Sequence, residues 1–211
     1  MPWQLVKLDE GAPVPTSAEG FSGLGFMGGP MSANDELPWT QPVLALMRDA
    51  VGRDVPVIGH CLGGQLLSRA LGGEVTRNPV KEIGWNPVHI EDSPIARDWF
   101  GATPSDFTTF QWHGDTFSIP PGGQRILTGK HCPNQAYVVA DRHLGMQCHV
   151  EMTPQMIATW LSDGAKELQA SLDSPAVQGP ERIEGDMAAR LPDLSRTAER
   201  LYTRWMKGLA T

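Results

Sequence analysis

The chain has 211 residues, enough for one sizeable hydrophobic core, and a single α/β domain is the expectation. Its net charge of -7 leaves no basic excess to neutralise phosphates, which argues against a nucleic-acid partner. The three cysteines, Cys61, Cys132 and Cys148, form neither a C-x-x-C pair nor a disulfide framework, and the six histidines lack metal-ligand spacing. A cytoplasmic setting without metal or cofactor is expected. No apolar run reaches membrane length and no charged region precedes an apolar one at the N-terminus, so neither a span nor a signal peptide is expected.

In chain order, Trp3 to Leu8 reads as a short strand, followed by a Pro-rich turn. Phe21 to Met27 is a glycine-laden strand running into Gly28-Gly29-Pro30. Asn34, Asp35 and Pro38 start a helix that ends near Gly52, with Val43, Leu44, Met47 and Val51 on one face. Val55 to Ile58 is a β-branched apolar run, and Gly59-His60-Cys61-Leu62-Gly63 turns it into a helical pattern carrying Leu66, Leu67 and Ala70. Further short strands are predicted at Glu74–Arg77, Pro87–Ile90, Phe107–Trp112, Gln124–Thr128, Ala136–Val139 and Leu144–His149. Thr153 and Pro154 supply the N-cap and first position of another helix. Ser174 to Asp186 reads as loose chain, with a last helix after Pro192. That helix carries a narrow apolar seam of Leu191, Leu194, Ala198, Leu201 and Trp205, expected to pack on its own domain, with a homodimer contact as the alternative.

Strand, sharp turn, helix is the geometry that lifts a nucleophile out of a sheet edge. A helix beginning just after Cys61 aims unpaired N–H groups at the sulfur and favours its thiolate. Against this stands the ordinary buried cysteine at a strand end. In Gly145-Met146-Gln147-Cys148-His149-Val150-Glu151, residues two apart in extended chain share a face, so His149 and Glu151 point the same way while Cys148 faces the core. An imidazole oriented by a carboxylate is a base suited to a thiol. In Phe110-Gln111-Trp112-His113-Gly114-Asp115, a strand ends in a turn able to present backbone groups to a ligand, and His113 is a rival base to His149.

Together these stretches resemble the class I, triad-type glutamine amidotransferase family, in particular its stand-alone GMP synthase-like members. Gly59-x-Cys61-x-Gly63-x-Gln65 is similar to that family's nucleophile motif, Gly145-x-Gln147-x-His149-x-Glu151 to its His/Glu motif, and Gly28-Gly29-Pro30 to its oxyanion loop. The resemblance spans about residues 3 to 162 and implies a flavodoxin-like, mostly parallel sheet flanked by helices with a small antiparallel extension. It divides the chain into an amidotransferase-like domain over 1–165 and a helical extension over 166–211, packed on the same domain. It also implies a Cys61–His149–Glu151 triad, an oxyanion hole from the N–H groups of Gly29 and Leu62, and substrate contacts from Gln65, Trp112, His113, Gly114 and Asp115. The implied reaction is hydrolysis of the glutamine side-chain amide through a γ-glutamyl thioester, with glutamine or a γ-glutamyl compound as substrate.

Two departures from the family pattern stand out. The family's first strand and helix, which precede the segment matching Trp3–Leu8, are missing, and the expectation is a coding start placed too far downstream. Neither a GxxxxGK[ST] loop nor a Ser-Gly-Gly-x-Asp-Ser loop is present, so a separate synthetase is the expected ammonia acceptor. The competing readings are a free-standing γ-glutamyl hydrolase and, from another class, a non-catalytic binding or dimerisation module.

Overall fold

The computed structural model describes residues 2–209. Its sheet is built outward from β1 (Leu24–Phe26) and β2 (Val57–His60), which run parallel with Gly25 opposite Ile58. All four β2 residues are buried, as an apolar run in a strand covered on both faces should be. β2 in turn pairs in parallel with β7 (His143–Met146), setting Gly59 opposite Gly145. Beyond β7 the pairing becomes antiparallel through β6 (Ala136–Val139), β5 (Gly123–Gly129), β3 (Val75–Ile90) and β4 (Asp106–Phe117). The two-residue β8 (Ala176–Val177) adds to β3 in parallel. The result is the expected α/β class: a sheet between helices, parallel around the elbow, with an antiparallel extension.

One face is covered by α1 (Thr40–Gly52) and α2 (Leu62–Ala70), which bury Val43, Leu44, Met47, Leu66 and Leu67 against the sheet. The other carries α3 (Pro94–Phe100), α4 (Pro154–Asp163) and the 27-residue α6 (Pro180–Met206), with a short α5 (Ala165–Gln169) after α4. A fully buried side chain such as Met47 or Leu67 contributes about 1.5–3 kcal/mol. The α4 terminus follows its sequence signals: the Thr153 hydroxyl accepts from the Met156 N–H, and Pro154 occupies the first turn.

Several expectations need correction. Trp3–Leu8 is not a strand; the segment is irregular up to a 3-10 turn at Leu8–Glu10, and Trp3 and Leu5 are 83% and 63% exposed. It lines, with β1, a cleft of about 910 Å³, and among the described residues it pairs with no strand. The two strands expected at Glu74–Arg77 and Pro87–Ile90 are one long β3, with a register shift between Arg77 and Glu82 accommodating Pro79. β4 does not end before His113-Gly114-Asp115, because antiparallel pairing with β3 resumes past the shift and continues to Phe117. The final helix begins at Pro180, not after Pro192. Pro192 sits inside α6, which loses a backbone bond there but is held by buried Ile183, Leu194, Thr197, Ala198 and Leu201. The seam therefore faces this chain's own sheet. No helix among the described residues is long and apolar enough to cross a membrane.

Candidate active site

Cys61 joins β2 to α2 with φ 48° and ψ -108°. Such backbone costs a non-glycine residue about 1–3 kcal/mol and persists only where its surroundings impose it. Here the Cys61 N–H donates to the Met146 carbonyl at 2.7 Å, and the Gln65 N–H returns to the Cys61 carbonyl at 2.9 Å. The turn is so tight that a Cβ at Gly63 would stand 2.2 Å from the Phe26 carbonyl oxygen. Leu62 opens α2 directly after the cysteine, leaving the first N–H groups of the helix unpaired around the sulfur.

His149 is fixed by two backbone hydrogen bonds to Phe110 and by the edge of Trp160, whose ring centroid is 4.8 Å away. Its Nδ1 lies 2.6 Å from Glu151 Oε1, while Nε2 has no hydrogen-bond partner among the described residues. The expected strand through this stretch stops at Met146. Beyond it the chain bends at 147–148 and 150–151 around an isolated bridge from His149 to Phe110, so the two side chains meet through their direct contact and not through strand alternation. Gly28 bridges the two reactive groups: a Cβ there would lie 3.3 Å from His149 Cε1 and 3.5 Å from Cys61 Cβ. Its neighbour Gly29 packs against Leu62, bringing the proposed oxyanion residues side by side.

Burial opposes charge on His149, but the Glu151 carboxylate and the adjacent Cys61 sulfur outweigh it and raise the imidazole well above its ordinary value. Burial likewise opposes ionisation of Glu151, and His149, with His60 behind it, holds the carboxyl well below the usual range. Each partner thus favours the charged form of the other. Cys148 and Cys132 lie in the opposite regime, with burial pushing both thiols up, Cys132 to about 11.

The remaining sequence-derived residues form the wall opposite the sulfur. The Trp112 carbonyl is 4.0 Å from Cys61 Sγ. Gln65 donates to the Asp115 carbonyl at 3.3 Å, and the Asp115 carboxylate accepts from Ser32 Oγ at 2.9 Å. Gly114 packs under the Arg77 guanidinium, whose nearest nitrogen is 3.0 Å from where a Cβ would stand. His113 is not placed as a base for Cys61: Nδ1 lies 2.9 Å from the Asp115 carbonyl and Nε2 lies 3.0 Å from buried Glu82. Glu82, His113 and Cys132 form a cluster of potential metal donors. Imidazole and carboxylate are in direct contact, however, and Gln135 donates to the same Glu82 oxygen at 2.9 Å, so hydrogen bonds satisfy the cluster without an ion.

Sequence reading missed four participants. Gln147 donates to Cys61 Sγ at 3.5 Å and accepts from Gln65 at 3.1 Å; its place inside the His/Glu motif was the available signal. His60 directly precedes Cys61, but its partner Tyr202, like Glu82, comes from a remote element and carries no local signal.

A cysteine elbow in an α/β sheet, with a carboxylate-bound histidine beside it, places the chain among α/β proteins built around a nucleophile turn. Residues 2–167 match the family described as glutamine amidotransferase class-I, and the chain belongs to that family. It is 48% identical to a glutamine amidotransferase of known structure from Methylobacillus flagellatus, with a TM-score of 0.95 over 100% of this chain and 86% of that one. A glutamine amidotransferase from Thermotoga maritima superposes with a TM-score of 0.83 at 26% identity, over 96% of this chain and 85% of the other. Among curated relatives, the glutamine amidotransferase-like protein YfeJ of Salmonella typhimurium is 29% identical over 75% of this chain and 68% of its own. The GMP synthase of Bacillus subtilis is 34% identical over 62% of this chain but only 24% of its own length.

Proposed function

We propose that the chain hydrolyses the side-chain amide of glutamine, with Cys61 as nucleophile, His149 as general base and acid, and Glu151 as the group that orients His149. The observation carrying this reading is the 2.6 Å His149–Glu151 contact beside the strained Cys61 turn, with the second imidazole nitrogen left free. Cys61 Sγ attacks the amide carbon, its proton having passed to His149 Nε2. The oxyanion is held by the N–H groups of Gly29 and Leu62, each donor worth roughly 3–4 kcal/mol in such sites. His149 returns the proton to the leaving nitrogen, ammonia departs, and a γ-glutamyl thioester remains. Water, deprotonated by His149, then cleaves the thioester to glutamate and restores the thiol. Gln65 and the Trp112–Asp115 stretch hold the amino-acid end of the substrate through backbone groups. The acceptor of the ammonia is a separate synthetase, a reading supported by the match to GMP synthases, which covers only a quarter of their length.

The test is intact-protein mass spectrometry after exposure to 6-diazo-5-oxo-norleucine, with the adduct mapped. A single adduct on Cys61 that free glutamine suppresses is the expected result. Suppression by a γ-glutamyl dipeptide but not by glutamine would move the assignment to a γ-glutamyl hydrolase. No adduct on folded protein would leave the binding or dimerisation module as the better reading.

A further inference from the structure

Glu151 has two oxygens, and the reaction as proposed uses one. Oε1 holds His149, while Oε2 faces a second histidine: His60 Nδ1 is 3.1 Å away, in a contact out of line for a full hydrogen bond. His60 is the residue just before the nucleophile and is only 3% exposed. Its other nitrogen, Nε2, lies 3.3 Å from the hydroxyl of Tyr202 on α6, and the two rings meet edge to face at 5.8 Å. The chain of groups runs Tyr202, His60, Glu151, His149, Cys61, from the C-terminal helix to the sulfur.

We infer that His60 and Tyr202 are positioning residues, a second imidazole and a phenol that brace the far side of Glu151 and fix the carboxylate's angle on His149. Proton inventory supports this direction. A carboxylate opposite His60 Nδ1 requires a proton on that nitrogen. Burial, with Glu151 and Cys148 nearby, keeps the Tyr202 phenol protonated, so its O–H donates to Nε2 and leaves the Nδ1 proton for Glu151. A buried carboxylate with one oxygen unsupported can rotate, and the partner of a base must be held to well under an ångström for the base to act. The misaligned resting contact accords with catalytic hydrogen bonds that tighten only when charge develops on the imidazole. The outer end is itself secured: Arg204, two residues along α6, bonds Asp98 and lies 2.7 Å from Asp141, with its guanidinium over the Trp99 ring.

The inference rests on Cys61 being the reacting group but not on the identity of the substrate, so its test uses a substrate-free probe. The full-length protein is alkylated with iodoacetamide at one near-neutral pH, and the rate of adduct formation mapped to Cys61 is measured. His60→Leu is expected to slow alkylation about tenfold, and His60→Asn, which keeps a donor at the Nδ1 position, to restore most of the rate. Tyr202→Phe, which removes only the hydroxyl, is expected to slow it about threefold. Should His60→Leu misfold, Tyr202→Phe decides the matter by itself. Wild-type rates in both His60→Leu and Tyr202→Phe would overturn the inference. So would a His60→Asn variant as slow as His60→Leu, since filling space would then be the only role. Failure of the glutamine reading looks different: alkylation would still depend on His60, while the diazo-ketone adduct would be absent or insensitive to glutamine.

Discussion

Among the described residues, His149–Glu151 and His113–Glu82 are the two buried imidazole–carboxylate pairs in full hydrogen-bonding contact, and they differ in what the second ring nitrogen does. In His149–Glu151 the imidazole is held by Nδ1 at 2.6 Å and its Nε2 is left without a partner beside a thiol. In His113–Glu82 the Nε2 contact is 3.0 Å, and Nδ1 is already bound to the Asp115 carbonyl. In the proposed reaction the first arrangement supplies the proton-transfer group, and the second is a strut that holds the Trp112–Asp115 stretch in place. A histidine and a nearby acid in sequence therefore do not identify a base. A second ring nitrogen left unbonded next to a candidate nucleophile is the more telling feature.

The largest expected effect breaks the first pair at its free nitrogen. His149→Asn keeps a donor toward Glu151 and removes the base, so glutamine turnover should fall on the order of a thousandfold. Glu151→Gln leaves the base but loosens its orientation, and a loss of about a hundredfold is expected. Steady-state assays of ammonia release measure both. Near wild-type turnover in His149→Asn would remove His149 from the mechanism.

Breaking the second pair should be felt in stability instead. His113→Asn retains the bond to the Asp115 carbonyl and abandons Glu82, a buried carboxylate left with Gln135 alone. The cost expected from a denaturant midpoint is about 3 kcal/mol, with turnover reduced by less than about tenfold. A thousandfold loss of turnover in a stably folded His113→Asn variant would mean that the roles of the two histidines have been exchanged.

How far this contrast was visible in the sequence depends on distance along the chain. The elbow was legible because Val57, Ile58, Cys61, Gly63 and Gln65 are neighbours whose local preferences agree with the fold. His149 and Glu151 were legible as neighbours two residues apart, although bends rather than strand alternation bring them together, and α4 was legible through its Thr153 cap. The bonds of Glu82 to His113 and of His60 to Tyr202 join residues 31 and 142 positions apart, and no periodicity encodes them. The errors have the same origin. Trp3–Leu8 has strand composition but pairs with no strand among the described residues, Pro79 is tolerated where β3 shifts register, and Pro192 is tolerated because tertiary packing holds α6 on both sides. In each case the surrounding sheet or core overrode a local preference.

Another buried histidine sharpens the comparison by being bonded to no acid. His143, on β7, is fully buried, and neither ring nitrogen has a hydrogen-bond partner among the described residues. Burial, reinforced by Arg142, pushes its ordinary value down to about 4. The sign of the consequence follows from linkage. The unfolded chain binds a proton at this site as pH falls below about 6.5, whereas the folded chain resists it until about pH 4, so protonation favours unfolding across that window. Stability should drop by about 2 kcal/mol between about pH 7 and pH 5 from this residue alone, then level off once the folded state is protonated too. His149 behaves in the opposite sense: raised by Glu151, it contributes stability that is intact at low pH and lost only as alkaline pH removes its proton. Denaturation midpoints measured across this range for wild type and His143→Leu separate the two behaviours. The substitution should flatten the mildly acidic limb and leave the alkaline limb unchanged. An acid limb that stays equally steep would place the sensitive group elsewhere and leave His143 as a neutral filler of the β7 core.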